Sequence, residues 1–130
     1  MKVDQKQRRG SRGQATVEMA LVLPILIWLL IGLVDVARMA NAVITLQHAT
    51  REAVRLGITG AADSEVTERA QLTATTLDPA TLTITITPAG SRTTGSDITV
   101  KLDYKYKVLA LMGIIGSEVP LSATLTSRVE

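Results

Sequence analysis

One peptide bond and one carboxylate near the N-terminus have the residue types and spacing that could do chemistry. Gly13 and Gln14 follow a short basic stretch, and Glu18 lies four residues further on, where an apolar run begins. Glycine gives the backbone the freedom that a peptidase needs at a scissile bond. Cleavage after Gly13 would make Gln14 the new N-terminus and place its ammonium about one helical turn from Glu18. The spacing therefore predicts processing at Gly13–Gln14, followed by an ion pair that exists only after the cut.

The need for that ion pair comes from the position of Glu18. Residues 19–34 carry no charge, and extension back to residue 15 gives a run in which Glu18 is the sole charged residue. Twenty helical residues cover about 30 Å, the thickness of the hydrocarbon core of a bilayer. An unpaired carboxylate at the bilayer centre costs about 3 kcal/mol, and less near the interface. We therefore expect a transmembrane helix in which a neighbouring subunit's N-terminal ammonium compensates Glu18 and sets the register between subunits.

The distribution of charge predicts the orientation of this helix. Residues 1–13 hold five Lys or Arg and one Asp, a formal charge of +4, whereas residues 14–130 hold nine basic and eleven acidic residues, a charge of −2. Basic residues flanking a membrane segment favour the cytoplasmic side. The sequence thus predicts a basic cytoplasmic leader over residues 1–13, a transmembrane half-helix over 14–34 and an extracytoplasmic domain over 35–130.

Composition argues against most catalytic and binding classes. The chain has no Cys and no Phe, one Trp, two Tyr, and a single histidine, His48. Without cysteine there is no thiol nucleophile, the lone histidine argues against a histidine metal site or a Ser-His-Asp triad, and aromatic platforms for nucleic acid are nearly absent. We therefore predict that the protein is not an enzyme, binds no metal, cofactor or nucleic acid, and carries His48 on a helix surface.

Hydrophobic periodicity predicts an α+β fold. A long helix of about 40 residues continues from the membrane to Gly57 or Gly60, with a kink or loosened turn before Pro24. Its amphipathic half is predicted to pack through Met39, Val43, Leu46, Thr50 and Ala53, with Val36, Ala40 and Ile44 beside them. A second, shorter helix is expected over 64–77, capped by Asp63 or Ser64 and ended by Asp78-Pro79.

Three stretches of alternating apolar and polar residues follow, at 82–87, 97–108 and 119–129. Alternation of this kind predicts a small antiparallel sheet with one buried face, which the amphipathic half of the long helix covers. The apolar link over 110–118 is expected either to tuck against the sheet or to meet a partner.

Five charged residues on the long helix remain as candidate contacts. Asp35 and Arg38 lie three residues apart where the helix leaves the bilayer, and Arg51, Glu52 and Arg55 lie near its C-terminus. Each group is either a surface ion pair worth a few tenths of a kcal/mol or an inter-subunit contact, with domain anchoring open for the second group.

The string RGQATVEMALVLPILIWLLIGLVDVAR, followed by ATREAVRLG, resembles the TadE-like family of minor pseudopilins in tight-adherence (Flp-type, type IV-like) pilus systems. GQATVE is similar to the type III signal of type IV pilins. The similarity covers about residues 12–57 and departs from the family's pattern at Met19, where tyrosine is frequent, and at Gln14, where many pilins begin with phenylalanine.

The resemblance implies a pilin-like lollipop fold and a structural role in pilus assembly or initiation. It also implies a prepilin peptidase that cuts after Gly13. Its implied partners are other pseudopilins, the major pilin, the lipid bilayer and a membrane assembly platform driven by a cytoplasmic ATPase. The implied location is the bacterial inner membrane, with a cytoplasmic N-terminus, or the extracellular pilus.

Two alternatives stay open on the sequence alone. The chain could be an uncleaved, single-pass accessory or binding protein outside the cytoplasm. It could also be secreted, because Ala40-Asn41-Ala42 fits the small-x-small pattern of signal peptidase. The mature N-terminus would be Gln14 in a pseudopilin, Met1 in an anchored protein and Val43 in a secreted one.

Overall fold

The structure, a computed structural model, describes residues 7–109 and 118–130, with side chains from residue 13 onward. Two helices and three strands account for most of this part of the chain. They are α1 (Gln7–Ile58), α2 (Asp63–Thr73), β1 (Leu82–Thr87), β2 (Asp97–Lys107) and β3 (Glu118–Arg128), with a single 3₁₀ turn at Pro79–Thr81 before β1. The predicted α+β fold, with its long apolar N-terminal helix, is confirmed.

Helix α1 runs for 52 residues without interruption. At 1.5 Å per residue it is about 78 Å long, more than the 60–65 Å expected, because it begins at Gln7 rather than after the basic leader. Pro24 lies inside it, and the kink expected there stays a prediction. The helix stops after Ile58, where Gly60 adopts a φ of +80°, a left-handed conformation that favours glycine.

The sheet has the strand order β1-β2-β3, and both pairings are antiparallel. Leu82 pairs with Tyr104 at one end of the β1–β2 ladder, and Lys107 pairs with Glu118 at one end of the β2–β3 ladder. Along β2 the side chains point alternately to the two faces of the sheet, and Ile98, Val100 and Leu102 are fully buried. The three predicted strands are therefore present with bounds within one residue of those expected.

The second half of α1, residues 35–58 and hereafter the packed half, covers one face of this sheet, and α2 packs against it. The core is small and aliphatic. It consists of Ala42, Leu46, Ala49, Ala53, Val54, Val66, Ala70, Ala74, Leu77, Ile98, Val100, Leu102, Tyr106, Ala123 and Val129. Thr50 is also buried, and its hydroxyl donates to the Leu46 carbonyl oxygen at 2.7 Å, so no buried polar group is left unpaired there.

Leu46, Thr50 and Ala53 of the predicted stripe are buried, and Met39 and Val43 are half-buried, so the main stripe of α1 is confirmed. Val36, Ala40 and Ile44, predicted to lie beside the core, are exposed, and Val36 and Ile44 keep 58% and 53% of their surface. The sheet and α2 cover only an arc centred on Leu46 and Ala49. Leu125, predicted on the buried face of β3, is exposed as well, because β3 is an edge strand that α1 covers only in part.

Helix α2 is shorter than predicted and has a different N-terminus. It ends at Thr73, and Asp78 instead begins the 3₁₀ turn by accepting the Ala80 N–H at 3.0 Å. Three β-branched threonines at 73, 75 and 76 disfavour further helix. The residue preceding the first turn is Ala62, with no side-chain cap, so the caps predicted at Asp63 or Ser64 are wrong.

The carboxylate of Asp63 binds the β1–β2 connection instead. It forms an ion pair with Arg92 and accepts the Gly90 N–H at 2.7 Å. The Arg92 side chain keeps only 1% of its surface, and its Nη1 donates to the Ala61 carbonyl oxygen at 2.8 Å. These bonds tie the long loop between β1 and β2 to the beginning of α2. The apolar link predicted to tuck in or meet a partner lies, at residues 110–117, outside the described residues.

The close approach of α1 to β2 gives the first prediction. A Cβ added at Gly57 would overlap the Cδ1 of Ile98, which is fully buried. Gly57→Ala is therefore expected to lower the free energy of unfolding by about 1–2 kcal/mol, even though alanine favours a helix by about 1 kcal/mol. In an Ile98→Val background, which lacks that Cδ1, the same change should be neutral or stabilising.

The four proteins of this cycle can be compared by urea unfolding in detergent micelles, followed by far-ultraviolet circular dichroism. An equal cost of Gly57→Ala in both backgrounds would contradict the overlap with Ile98.

Candidate functional site

The first half of α1, residues 14–34 and hereafter the bare half, contains no buried residue. Its apolar side chains from Val17 to Val34 are exposed, and the most apolar window is 0% buried. Among the described residues, one helix is long and apolar enough to cross a membrane, by length and composition. A helix satisfies its own backbone hydrogen bonds, so it can stand bare in hydrocarbon. This helix fits single-pass membrane anchoring.

The predicted cleavage junction lies inside the helix. Gly13 and Gln14 both have helical backbone, so a peptidase would have to open α1 locally to reach the bond between them. No atom lies within 4 Å of a Cβ built at Gly13. The conformation therefore does not require glycine at this position, and processing there stays a prediction.

Glu18 already has a partner in the single chain. The Gln14 side-chain amide donates to its Oε1 at 3.2 Å, one turn away on the same exposed face. The bond holds the carboxylate beside the residue that would become the N-terminus after cleavage. Pairing between subunits concerns more than one chain, and it also stays a prediction.

The structure places Asp35 inside the protein instead of on the helix surface. Asp35 keeps 5% of its surface and lies at the beginning of the buried stripe of the packed half. The Tyr106 hydroxyl donates to its Oδ1 at 3.4 Å and to its carbonyl oxygen at 3.5 Å, both long bonds. Arg38, one turn further along α1 towards its C-terminus, is exposed. The sequence missed this contact, although a tyrosine on the buried face of a strand needs a polar partner.

The second charged group stays at the surface. Arg51 and Arg55 are exposed and Glu52 is half-buried, and within the part of the chain that the structure describes none of the three forms an ion pair. His48 is exposed on α1. The buried guanidinium of Arg92, by contrast, had no signal in the sequence beyond its place in a polar loop.

No group of three His, Asp or Glu side chains that could hold a metal ion exists among the residues whose side chains are described.

Comparison with known proteins bears on this same stretch. The family model described as TadE-like protein matches residues 13–55. These residues are similar to the TadE-like family and are called the TadE-like segment. The segment contains the predicted cleavage junction, the whole bare half and most of the packed half of α1, and it confirms the resemblance drawn from the sequence over those residues. No curated protein and no solved structure matches the chain. The TadE-like segment indicates a component associated with Tad pili.

Tyr106 gives a prediction at the boundary between the bare and the packed half. Burial raises the pKa of its phenol above the ordinary 10.0, Arg38 offsets part of this, and Asp35 raises the pKa further. A raised pKa means that the fold favours the neutral phenol. This contribution to stability is present in full below pH 10 and is lost as the pH rises through the folded pKa.

A Tyr104→Phe variant leaves Tyr106 as the one tyrosine. Its tyrosinate absorbance, titrated in detergent micelles, should have a midpoint above that of the same variant unfolded in denaturant. A folded midpoint at or below the unfolded one would contradict the burial of the phenol against Asp35.

Proposed function

We propose that the protein is a minor pseudopilin, a non-catalytic structural component that takes part in assembling or initiating a tight-adherence pilus. The observation that carries this proposal is the bare apolar half of α1, joined without a break to a half that packs on a small sheet, inside a TadE-like segment. One end of such a subunit can be held in the membrane, and the other presents a folded domain.

In the proposed sequence of events, the chain inserts in the bacterial inner membrane with its basic N-terminus in the cytoplasm. A prepilin peptidase then hydrolyses the Gly13–Gln14 bond. The ammonium of Gln14 in one subunit pairs with Glu18 of a neighbouring pseudopilin or major pilin, which offsets the cost of the carboxylate in hydrocarbon. A membrane platform driven by a cytoplasmic ATPase moves the packed subunits.

The exposed stripe at Val36, Ala40 and Ile44 supports helix-to-helix packing in such an assembly. It extends the apolar surface of α1 beyond Val34, and the nine residues from Val36 to Ile44 span about 12 Å along the helix. The core of the folded domain does not use this stripe, so it is free to meet a neighbouring helix.

One observation favours the second candidate, an uncleaved membrane-anchored accessory protein. Glu18 accepts a hydrogen bond from Gln14 within the chain, so it has a polar partner without any cut. Secretion after Ala42 fits less well. Ala42 belongs to the core and lies inside α1, so cleavage there would divide the helix that covers the sheet.

Processing is tested by the mature N-terminus. Intact mass measured on the protein from its native membrane should correspond to a chain beginning at Gln14. Gly13→Val should leave the leader attached, because a β-branched residue restricts the backbone at the scissile bond.

Gly32→Val is the matched control, since Gly32 is the glycine of the bare half and, like Gly13, has no atom within 4 Å of a built Cβ. It should be processed normally. A wild-type chain beginning at Met1 in the assembled fraction would favour the accessory protein.

The role of Glu18 is tested by Glu18→Gln, which keeps a hydrogen-bonding group but removes the charge. The variant should be processed but should co-purify with pilus components at least about tenfold less, because its neighbour's ammonium loses its partner in a low dielectric. Glu65→Gln, at an exposed position of α2, is the control and should behave as wild type. Equal recovery of the Glu18→Gln protein and wild type would exclude the proposed ion pair.

A further inference from the structure

The direction of the strands relative to α1 decides which end of the sheet faces the bilayer. Tyr106, near the end of β2, contacts Asp35, and Ile98, near its beginning, meets Gly57. Strand β2 therefore runs antiparallel to α1, back towards the bare half. Asp35 directly follows Val34, the last residue of the uncharged apolar run. The end of β2 thus lies level with the point where α1 would leave the hydrocarbon.

Three residues at this end are exposed and form a rim with a clear chemical character. Lys105 and Lys107 lie on the open face of β2, opposite the buried set, and Leu109 beyond the strand keeps 47% of its surface. Leu109 follows Tyr106 by three residues, so the chain extends up to about 10 Å past the level of Asp35. These residues, Lys105, Lys107 and Leu109, are called the membrane-proximal rim.

The charges around the rim are mostly positive. Arg38 of α1 is exposed nearby. Of the described carboxylates, Glu118 pairs with Lys107 across the ladder, and Asp103, two residues before Lys105, already forms an ion pair with Lys101 at 2.9 Å. Residues 110–117 carry no charge in the sequence. Lysines near a membrane surface are attracted to anionic headgroups within about a Debye length, and their apolar stems can lie along the interface.

We propose that the membrane-proximal rim rests on the anionic phospholipid headgroups of the bilayer that α1 spans. The contact orients the folded domain against the membrane before the subunit is taken into any assembly. It rests on the membrane span included in the proposed function and is independent of processing and of pilus packing. The bilayer is then contacted at two places, by the apolar helix in its hydrocarbon core and by the basic rim at its headgroups.

Depth-dependent fluorescence quenching tests this on the full chain in phospholipid vesicles. The chain has no cysteine, so Leu109→Cys and Thr85→Cys each introduce one labelling site for an environment-sensitive fluorophore. Thr85 is exposed and pairs with Lys101, eight residues up β2 from Leu109, which places it about 26 Å further from the bilayer. Trp28, the one tryptophan, lies in the bare half and reports insertion without any substitution.

A headgroup nitroxide lipid should quench the label at Leu109 and spare the label at Thr85. An acyl-chain nitroxide lipid should quench Trp28. Quenching at Leu109 should rise by about twofold or more when phosphatidylglycerol replaces part of the phosphatidylcholine.

The lysines are tested in the Leu109→Cys background. Lys105→Gln with Lys107→Gln should abolish the increase with phosphatidylglycerol. Lys101→Gln with Arg69→Gln removes the same charge from exposed positions away from the rim and should keep the increase.

The outcomes separate the rim from the proposed function. If Trp28 is quenched but Leu109 is quenched no more than Thr85, the rim contact is wrong and the membrane span stands. If Trp28 is not quenched by acyl-chain nitroxide, the span itself fails, and the rim contact fails with it. The contact with anionic headgroups is wrong if quenching at Leu109 does not change with phosphatidylglycerol. It is also wrong if both double variants lose the increase equally.

Discussion

The packing of residues 35–58 of α1 against the sheet is the constraint on which the rest of the molecule depends. The apolar face of a sheet must be buried against another element, and in this chain α1 supplies most of the cover, with α2 at its side. The same helix continues for more than twenty residues, none of which the described parts of the chain bury. One helix therefore serves two apolar environments, the protein core at one end and, in our proposal, lipid or a neighbouring helix at the other.

Small residues make that cover possible. Ala42, Ala49, Ala53 and Gly57 lie on the side of α1 that meets the sheet, so the helix backbone approaches the branched side chains of β2 closely. The largest buried side chains come from both layers, Leu46 from the helix and Ile98 and Leu102 from β2. A larger residue on the helix would push the two layers apart and open the core. Two buried polar groups of this interface have hydrogen-bond partners. The Thr50 hydroxyl donates to a carbonyl oxygen of its own helix, and Asp35 accepts from the Tyr106 hydroxyl.

Periodicity and charge were enough to predict α1, the three strands and the apolar span, because each depends on residues close together in sequence. The bounds of α2 were wrong, since a local rule placed a cap at Asp63 although its carboxylate binds Arg92, 29 residues away. Burial of Asp35 was missed for the same reason, as its partner is 71 residues distant. The face of α1 that meets the sheet was predicted correctly, but its width was not, because apolar residues at Val36 and Ile44 extend the stripe beyond what the sheet and α2 cover.

The antiparallel alignment of β2 with α1 has a mechanical consequence. A force applied along the axis of α1 from its N-terminal end loads the whole helix–sheet interface in shear, from the Asp35–Tyr106 contact to the Gly57–Ile98 contact. The side-chain contacts between them then resist together, whereas strands pulled at right angles to the helix would separate one contact at a time. The helix–sheet interface therefore resists tension along the axis of α1 better than it resists peeling.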